Sequence, residues 1–160
     1  MTITDDITIT VHEYGDMLYR ICILMLKNHA DAEDAVQETF IKYIQKEPVF
    51  TSSEHKKAWL ITVSANKCRD MLRKRGRTED ESEEILKNIA VNENEDCSGI
   101  LEALFELPEK FRIVMTLHYV EGYKVEEIAK IIGKSSSAVK MRLQKGRTLL
   151  RDIYKKEFMV

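Results

Sequence analysis

The chain has 160 residues, of which 44% are hydrophobic and 32% charged, with a formal net charge of −2. This length allows one ordinary domain or two small ones, each with a packed core. No apolar run reaches the ~20 residues that span a bilayer, and the first ten residues lack the basic and apolar stretches of a signal peptide. We therefore expect a cytoplasmic protein without membrane insertion.

The three cysteines, Cys22, Cys68 and Cys97, are far apart and form no CxxC pair. No histidine stands at zinc-finger spacing from them. We interpret Cys22 and Cys68 as core residues and Cys97 as a thiol in a linker. The sequence also lacks a paired nucleophile and base and a glycine-rich phosphate loop. It therefore predicts neither an enzyme nor a metal or cofactor site.

Helical periodicity predicts two helices at the start of the chain. Apolar residues of the first recur on one face: Val11, Tyr14, Leu18, Ile21, Cys22 and Met25. Asp31 is the expected N-cap of the second, whose apolar face is Ala32, Ala35, Val36, Phe40 and Tyr43. Residues 46–57 include Pro48 and interrupt the pattern, which predicts a loop.

A third helix is predicted from about Lys57 to Lys74. Its apolar residues share one face: Ile61, Ala65, Cys68 and Leu72. Residues 66–77, in contrast, contain six basic residues and one acidic residue. One side of this helix is therefore suited to a core and the other to an anionic partner.

An acidic segment follows, with eight acidic and two basic residues between Gly76 and Ser98. Charge repulsion extends such a segment, although Ile85, Leu86 and Ile89 allow a short anchoring turn. The predicted fold is all-α, with two small helical domains, residues 1–76 and 99–160. An acidic flexible linker, residues 77–98, joins them.

The C-terminal domain is predicted to begin with a short apolar helix over residues 100–107. Pro108 suits the start of the next helix, which ends at Gly122. A helix-turn-helix is then predicted over residues 125–145. Its glycine, Gly133, suits a left-handed turn, and either Ser135 or Ser136 is expected to cap the second helix.

The second helix of this hairpin is predicted to present a polar, basic face. Residues 134–156 contain eight basic residues and one acidic residue. Lysines and arginines attract phosphates, and glutamine pairs with adenine. The pattern favours DNA binding over the alternative, a helical hairpin with a solvated basic face.

Two signatures make the sequence recognisable. The N-terminal signature reads DAEDAVQETFIKYI over residues 31–44 and is followed by AWLITVSANKCRDMLRKRGR over residues 58–77. The C-terminal signature, which includes the hairpin, reads LPEKFRIVMTLHYVEGYKVEEIAKIIGKSSSAVKMRLQKGRTLLR over residues 107–151. The sequence resembles the extracytoplasmic-function (ECF) group of bacterial sigma factors along nearly its whole length, with both signatures in the family's order.

The resemblance implies a sigma factor that binds core RNA polymerase, recognises −35 and −10 promoter elements and directs transcription initiation in a stress or envelope response. It also implies capture by a membrane-anchored anti-sigma factor. The acidic linker would thread the polymerase channel that later holds RNA, or act as a plain tether. The competing hypothesis is a stand-alone helix-turn-helix transcriptional regulator, which needs only the hairpin.

Site residues follow from the resemblance. For −35 DNA they are Ser136, Ser137, Lys140, Met141, Arg142, Gln144, Lys145 and Arg147. For −10 DNA they are Phe50, Asn66, Lys67, Arg69 and Arg73, and for core polymerase Asp34, Gln37, Glu38 and Phe40. Two alternatives stay open: the acidic residues as a solvated helix face, and Phe50 as an anchor of its loop.

The sequence departs from the family pattern at the start of the second hairpin helix. Met141 stands where the family usually has a small polar residue, and residues 135–137 are three serines in place of Pro-x-Gly. The −35 base preference is therefore expected to differ from that of familiar members.

Overall fold

A computed structural model describes residues 2–74, 79–92 and 98–158. Secondary structure within those residues is helical, without strands, which confirms the predicted all-α class. The chain divides into two compact units, Met1–Thr78 and Glu79–Val160. Cys22 and Cys68 are buried, as predicted, whereas Cys97 lies outside the described residues. No described helix is long and apolar enough to cross a membrane.

Three helices form the first unit: α1 (Ile3–Leu26), α2 (His29–Lys46) and α3 (Ser53–Lys74). The first turn of α1 carries a capping box, because Thr2 Oγ1 accepts from the Asp5 amide at 3.1 Å and the Asp5 carboxylate accepts from the Thr2 amide at 3.2 Å. All three helices pack against one another. Their largest fully buried apolar side chains are Leu18, Ile21, Met25, Leu26, Leu60 and Ile61.

The start of α2 corrects the prediction that Asp31 is its N-cap. Asn28 has the extended backbone of a cap (φ −151°, ψ 126°) and its Oδ1 accepts from the Asp31 amide at 3.0 Å. Lys27 caps the end of α1 with φ 58°, so only Lys27 and Asn28 separate the two helices. Asp31 lies instead in the first turn, where its negative charge interacts favourably with the positive end of the helix dipole.

The loop between α2 and α3 is shorter than predicted, since α3 begins at Ser53 and only residues 47–52 separate the helices. Ser52 caps the N-terminus of α3. Its Oγ accepts from the His55 amide, and its carbonyl oxygen accepts from the Lys56 amide, both at 3.1 Å. The first turn of α3 has no apolar period, so periodicity alone places the start too late.

The second unit contains α4 (Ser82–Asn92), α5 (Ser98–Glu106), α6 (Glu109–Met115), α7 (Val125–Ile132) and α8 (Ser136–Phe158). A π-helical turn, Thr116–Val120, follows α6 directly. Part of the predicted linker is thus the regular helix α4, which packs against α5 and buries Ile85. The short anchoring turn expected there extends to 11 residues.

Close packing of α6 against α8 positions the hairpin. A Cβ atom added at Gly146 would lie 3.1 Å from both Cγ and Sδ of Met115, so a larger residue there would require Met115 to move. Arg112 is buried, and its Nη1 donates to the Leu107 carbonyl oxygen at 2.7 Å, which fixes the turn between α5 and α6. The position of α8 is therefore set by its buried side.

Candidate functional site

The turn between α7 and α8 has the geometry of a helix-turn-helix. Gly133 ends α7 in the left-handed region (φ 68°, ψ 38°), where a side chain would be strained. The Lys134 amide donates to the Ala129 carbonyl oxygen at 3.0 Å. Ser135 Oγ accepts from the Ala138 amide at 3.1 Å, so Ser135, of the two serines considered, is the cap of α8.

One face of α8 is exposed along its N-terminal half. The exposed residues recur at intervals of three and four: Ser137, Lys140, Met141, Gln144 and Lys145. Val139 and Leu143 are buried on the other side and hold the helix against the unit. The N-terminal half of such a helix is the part that reaches base edges in the major groove.

Three other residues predicted to contact −35 DNA lie away from the centre of this face. Ser136 and Arg142 are half-buried. Arg147 is exposed, and its Nη1 donates to the hydroxyl of Tyr119 in the π-helical turn at 3.1 Å. These side chains therefore suit the edges of an interface better than its middle.

The charge of the α8 face is largely uncompensated on its own helix. The first turn of α8 contains no acidic residue, and Asp152 is the one acid between residues 136 and 156. Lys145 Nζ lies 5.8 Å from the ring centroid of the buried Phe111, a cation–π distance that favours one orientation of this lysine. The face is suited to phosphates at its edges and base edges at its centre.

The loop before α3 is anchored by an aromatic cluster of Tyr43, Phe50, His55 and Trp59. Phe50 is half-buried and lies parallel to Tyr43, with ring centroids 6.3 Å apart. His55 and Trp59 meet it edge-on at 5.2 and 5.9 Å. The ring therefore fixes the loop, and its predicted contact with a −10 base stays a prediction.

A partly buried hydrogen bond between α3 and α1 supports the same loop. Lys56 Nζ donates to Thr10 Oγ1 at 2.8 Å and lies 5.2 Å from the centroid of the Tyr43 ring. Burial raises the pKa of the neighbouring Tyr14 phenol. The Tyr43 hydroxyl donates to Asp6 Oδ2 at 2.6 Å. These contacts connect all three helices beneath the loop.

The predicted basic face of α3 is present, and two of its arginines are held by neighbours. Arg69 Nη2 donates to Asn66 Oδ1 and Arg73 Nη2 to Asp70 Oδ1. The hydrogen bond from Arg73 lowers the pKa of Asp70. Lys67 is half-buried beside this row. The face thus carries less uncompensated charge than that of α8.

The α2 residues predicted to bind polymerase separate into two groups. Asp34, Gln37 and Glu38 are exposed on one face. Phe40 is only 8% exposed and packs in the core, so its predicted contact with polymerase stays a prediction. Its spacing already places it with the buried Ala32 and Ala35.

The sequence reasoning missed two apolar residues next to the exposed acids. Ile41 and Ile44 are 43% and 46% exposed on α2, although both are large hydrophobic residues. Their positions follow Glu38 at intervals of three, off the core face, which is the signal that would have identified them. Acids beside exposed isoleucines suit a protein surface that is basic and partly apolar.

The second unit also has an open groove of about 560 Å³ between α5, the π-helical turn and α8. Its lining is mainly apolar: Ile100, Leu101, Leu104, Met115, Tyr119, Val120, Leu150 and Tyr154, with Arg147 and Arg151. No single segment encodes this groove, because its walls come from four elements: α5, the end of α6, the π-helical turn and α8. It was not predicted from the sequence.

Comparison with protein-family models matches both units. Residues 10–78 match sigma-70 region 2, and residues 98–150 match sigma-70 region 4. The α3 basic face and the α2 acidic face fall within the first match, and the helix-turn-helix falls within the second.

Curated relatives cover most of the chain. The sigma factor SigV of Bacillus subtilis is 32% identical over 150 residues, which span 92% of this chain and 90% of SigV. The ECF sigma factor SigW of the same species is 29% identical over 155 residues, covering 86% of this chain and 83% of SigW.

Solved structures share the fold. The sigma factor RpoE of Bartonella quintana, crystallised with the anti-sigma factor NepR, has a TM-score of 0.74 and 24% identity, and the match covers 95% of this chain and 98% of RpoE. CnrH, solved with the cytosolic domain of CnrY, has a TM-score of 0.72 and 23% identity, with 96% and 90% coverage.

Proposed function

The chain belongs to the sigma-70 family, in its extracytoplasmic-function group, and we propose from that premise which of its surfaces contact promoter DNA and polymerase. A sigma factor binds core RNA polymerase and directs transcription initiation at promoters. Sigma factors are initiation factors rather than enzymes. Because bacterial transcription takes place in the cytoplasm, we propose a cytoplasmic location.

The −35 element is assigned to the α8 face. Ser137, Lys140, Met141, Gln144 and Lys145 would enter the major groove, with Ser136, Arg142 and Arg147 towards the flanking phosphates. This proposal rests on one observation above all: the polar face is exposed directly after the Gly133 turn, within the residues that match region 4.

The −10 element is assigned to the loop at residues 47–52 and the adjoining face of α3. Asn66, Lys67, Arg69 and Arg73 would contact the melted strand, since an unpaired strand needs cations along its backbone and stacking partners for its bases. Phe50 would act mainly by holding the loop in place, because its ring is half-buried among Tyr43, His55 and Trp59.

The core polymerase is assigned to the exposed face of α2, which consists of Asp34, Gln37, Glu38 and the newly identified Ile41 and Ile44. Replacing Asp34 with Lys should weaken polymerase binding about fivefold or more, because the charge of a complementary rim is reversed. The measurement is the dissociation constant of labelled core polymerase. Asp16→Lys is the matched control, since Asp16 is also an exposed aspartate but lies on α1, away from the α2 face. Equal losses in both variants would contradict this docking face.

An anti-sigma partner is also proposed, since a structure with the same fold, RpoE, was solved with the anti-sigma factor NepR. A membrane-anchored anti-sigma factor would hold the protein inactive until a stress or envelope signal releases it. The acidic segment before α5 would thread the polymerase channel that later holds RNA. Its charge imitates that of a nucleic acid.

Run-off transcription with purified core polymerase tests the proposal as a whole. We expect initiation at specific promoters that core polymerase alone does not use. The stand-alone regulator is the competing outcome: binding to duplex DNA without any start site would support it and overturn the assignments to α2 and α3.

A further inference from the structure

The exposed face of α8 contains one apolar residue, at its centre. Met141 is 69% exposed, and the polar residues Ser137, Lys140, Gln144 and Lys145 lie within one turn of it on the same face. A single exposed apolar residue is common on protein surfaces and means nothing by itself. The position of Met141 is the informative feature, because the middle of a recognition face lies deepest in the groove.

Chemistry limits what such a side chain recognises there. A thioether is only a weak acceptor and donates no hydrogen bond, so it cannot read the polar edges of bases as Gln144 or a lysine does. In the major groove, the apolar group that marks a particular base is the C5-methyl group of thymine. A flexible methionine side chain adapts to such a small apolar target.

We propose that Met141 is a specificity-determining residue that packs on the methyl group of a thymine in the −35 element. The inference rests on the proposed role of the α8 face in −35 binding and adds to it the base that one side chain selects. The lysines on either side would bring the helix to the phosphates, whereas Met141 would favour one base. Removing the methyl group from the DNA should then have the same effect as removing the thioether from the protein.

The experiment uses the holoenzyme, reconstituted from core polymerase and the full chain. A −35 sequence is first selected from duplexes randomised in that region. Each thymine of the selected element is then replaced singly by deoxyuridine, which keeps the base pair and lacks only the methyl group. We expect one replacement to weaken binding about fourfold, the factor that burial of one such group gives.

Protein variants complete the cycle. With Met141→Ala the same replacement should have no further effect, because coupled groups are not additive. Met141→Leu should keep the sensitivity, since leucine still offers an apolar contact. Both variants are expected to fold, because the side chain is mostly exposed.

The outcomes distinguish the role of Met141 from the proposed role of the whole α8 face in −35 binding. A selected element in which no thymine responds to deoxyuridine, or a response that persists unchanged in Met141→Ala, overturns the role of Met141. If Lys140→Ala and Lys145→Ala also leave binding and selected sequence unaltered, the assignment of the α8 face itself fails. If the lysine variants weaken binding while Met141→Ala behaves as wild type, only the thymine contact fails.

Discussion

The two basic helix faces of this protein hold their cations differently. On α3, Arg69 and Arg73 donate to Asn66 and Asp70, each one turn away on the same helix. On α8, no acid lies in the first turn, and the exposed lysines flank Met141 and Gln144. The arginines of the α3 face are thus held by hydrogen bonds to their own helix, whereas no acid in the first turn of α8 neutralises the lysines of its face.

This difference matches the two forms of DNA that we assign to the faces. Duplex phosphates form a dense, regular array, so uncompensated lysines add affinity without needing fixed geometry. A melted strand is flexible, and its bases must be held by placed side chains and stacking rings. The fixed aromatic cluster at the start of α3 suits the same role, and substitutions in both units test this difference.

The largest expected effect is a loss of stability in the second unit without a loss of stability in the first. Ile128 lies on α7, the first helix of the hairpin, and is fully buried. Ile128→Ala should therefore lower the free energy of unfolding of the second unit by about 2–5 kcal/mol. Hydrogen exchange of the full chain should show lost protection in residues 98–158 and retained protection in residues 2–74. Ile100→Ala, at a 49% exposed position, is the control. Equal loss in both units would show that they do not unfold independently.

Phe50→Ala tests whether the loop beside α3 serves opening rather than duplex binding. Loss of the ring removes the aromatic packing that holds the loop, and should slow promoter opening roughly tenfold, the factor that about 1.4 kcal/mol of lost packing gives. Permanganate reactivity of −10 thymines over time measures the rate. Binding of holoenzyme to closed duplex should stay unchanged, and a comparable drop there would place Phe50 in general folding instead.

Lysine replacements on α8 should produce a smaller, salt-dependent loss. Lys140→Ala or Lys145→Ala should weaken −35 binding a few-fold and reduce the slope of log affinity against log salt by about 1 if the contact is to phosphate. Titrations at several salt concentrations measure the slope. Lys155 offers the matched control, since it is exposed on the same helix about 15 Å beyond Lys145. An unchanged slope would refute the phosphate contact.

The smallest effect concerns the compensated charge on α3. Asp70→Asn removes the carboxylate that Arg73 contacts, and should raise affinity for a single-stranded −10 oligonucleotide about twofold, as expected for one exposed charge. Because its pKa is lowered in the folded protein, the stabilising contribution of Asp70 is present above the unfolded value of 3.8. It is lost as the pH falls through the lower folded pKa.

Acid unfolding monitored by circular dichroism checks that sign. Asp70→Asn should lower the stability slightly at pH 7, where the contribution of Asp70 is present, and should flatten the decline of stability below pH 4. Glu54→Gln, on the first turn of α3, is the matched control for removing one acid. A stronger gain in oligonucleotide affinity from Glu54→Gln than from Asp70→Asn would contradict the local pairing.

Local patterns were enough to predict much of this protein. The helices, the turn glycine Gly133 and the separation of basic and acidic segments follow from residues close together in the sequence, because helical period, left-handed backbone and charge density are local properties. The family signatures are likewise continuous runs. The spacing of the buried Val139 and Leu143 therefore predicts which face of α8 is exposed.

Packing between distant segments decided the rest. Phe40 lies in the core while Ile41 and Ile44 are exposed, because α1 and α3 cover only one side of α2. Phe50 is held by three rings from α2 and α3, and the groove of the second unit needs walls from four elements. A sequence states which residues are apolar, and only the assembled helices determine which of them are covered.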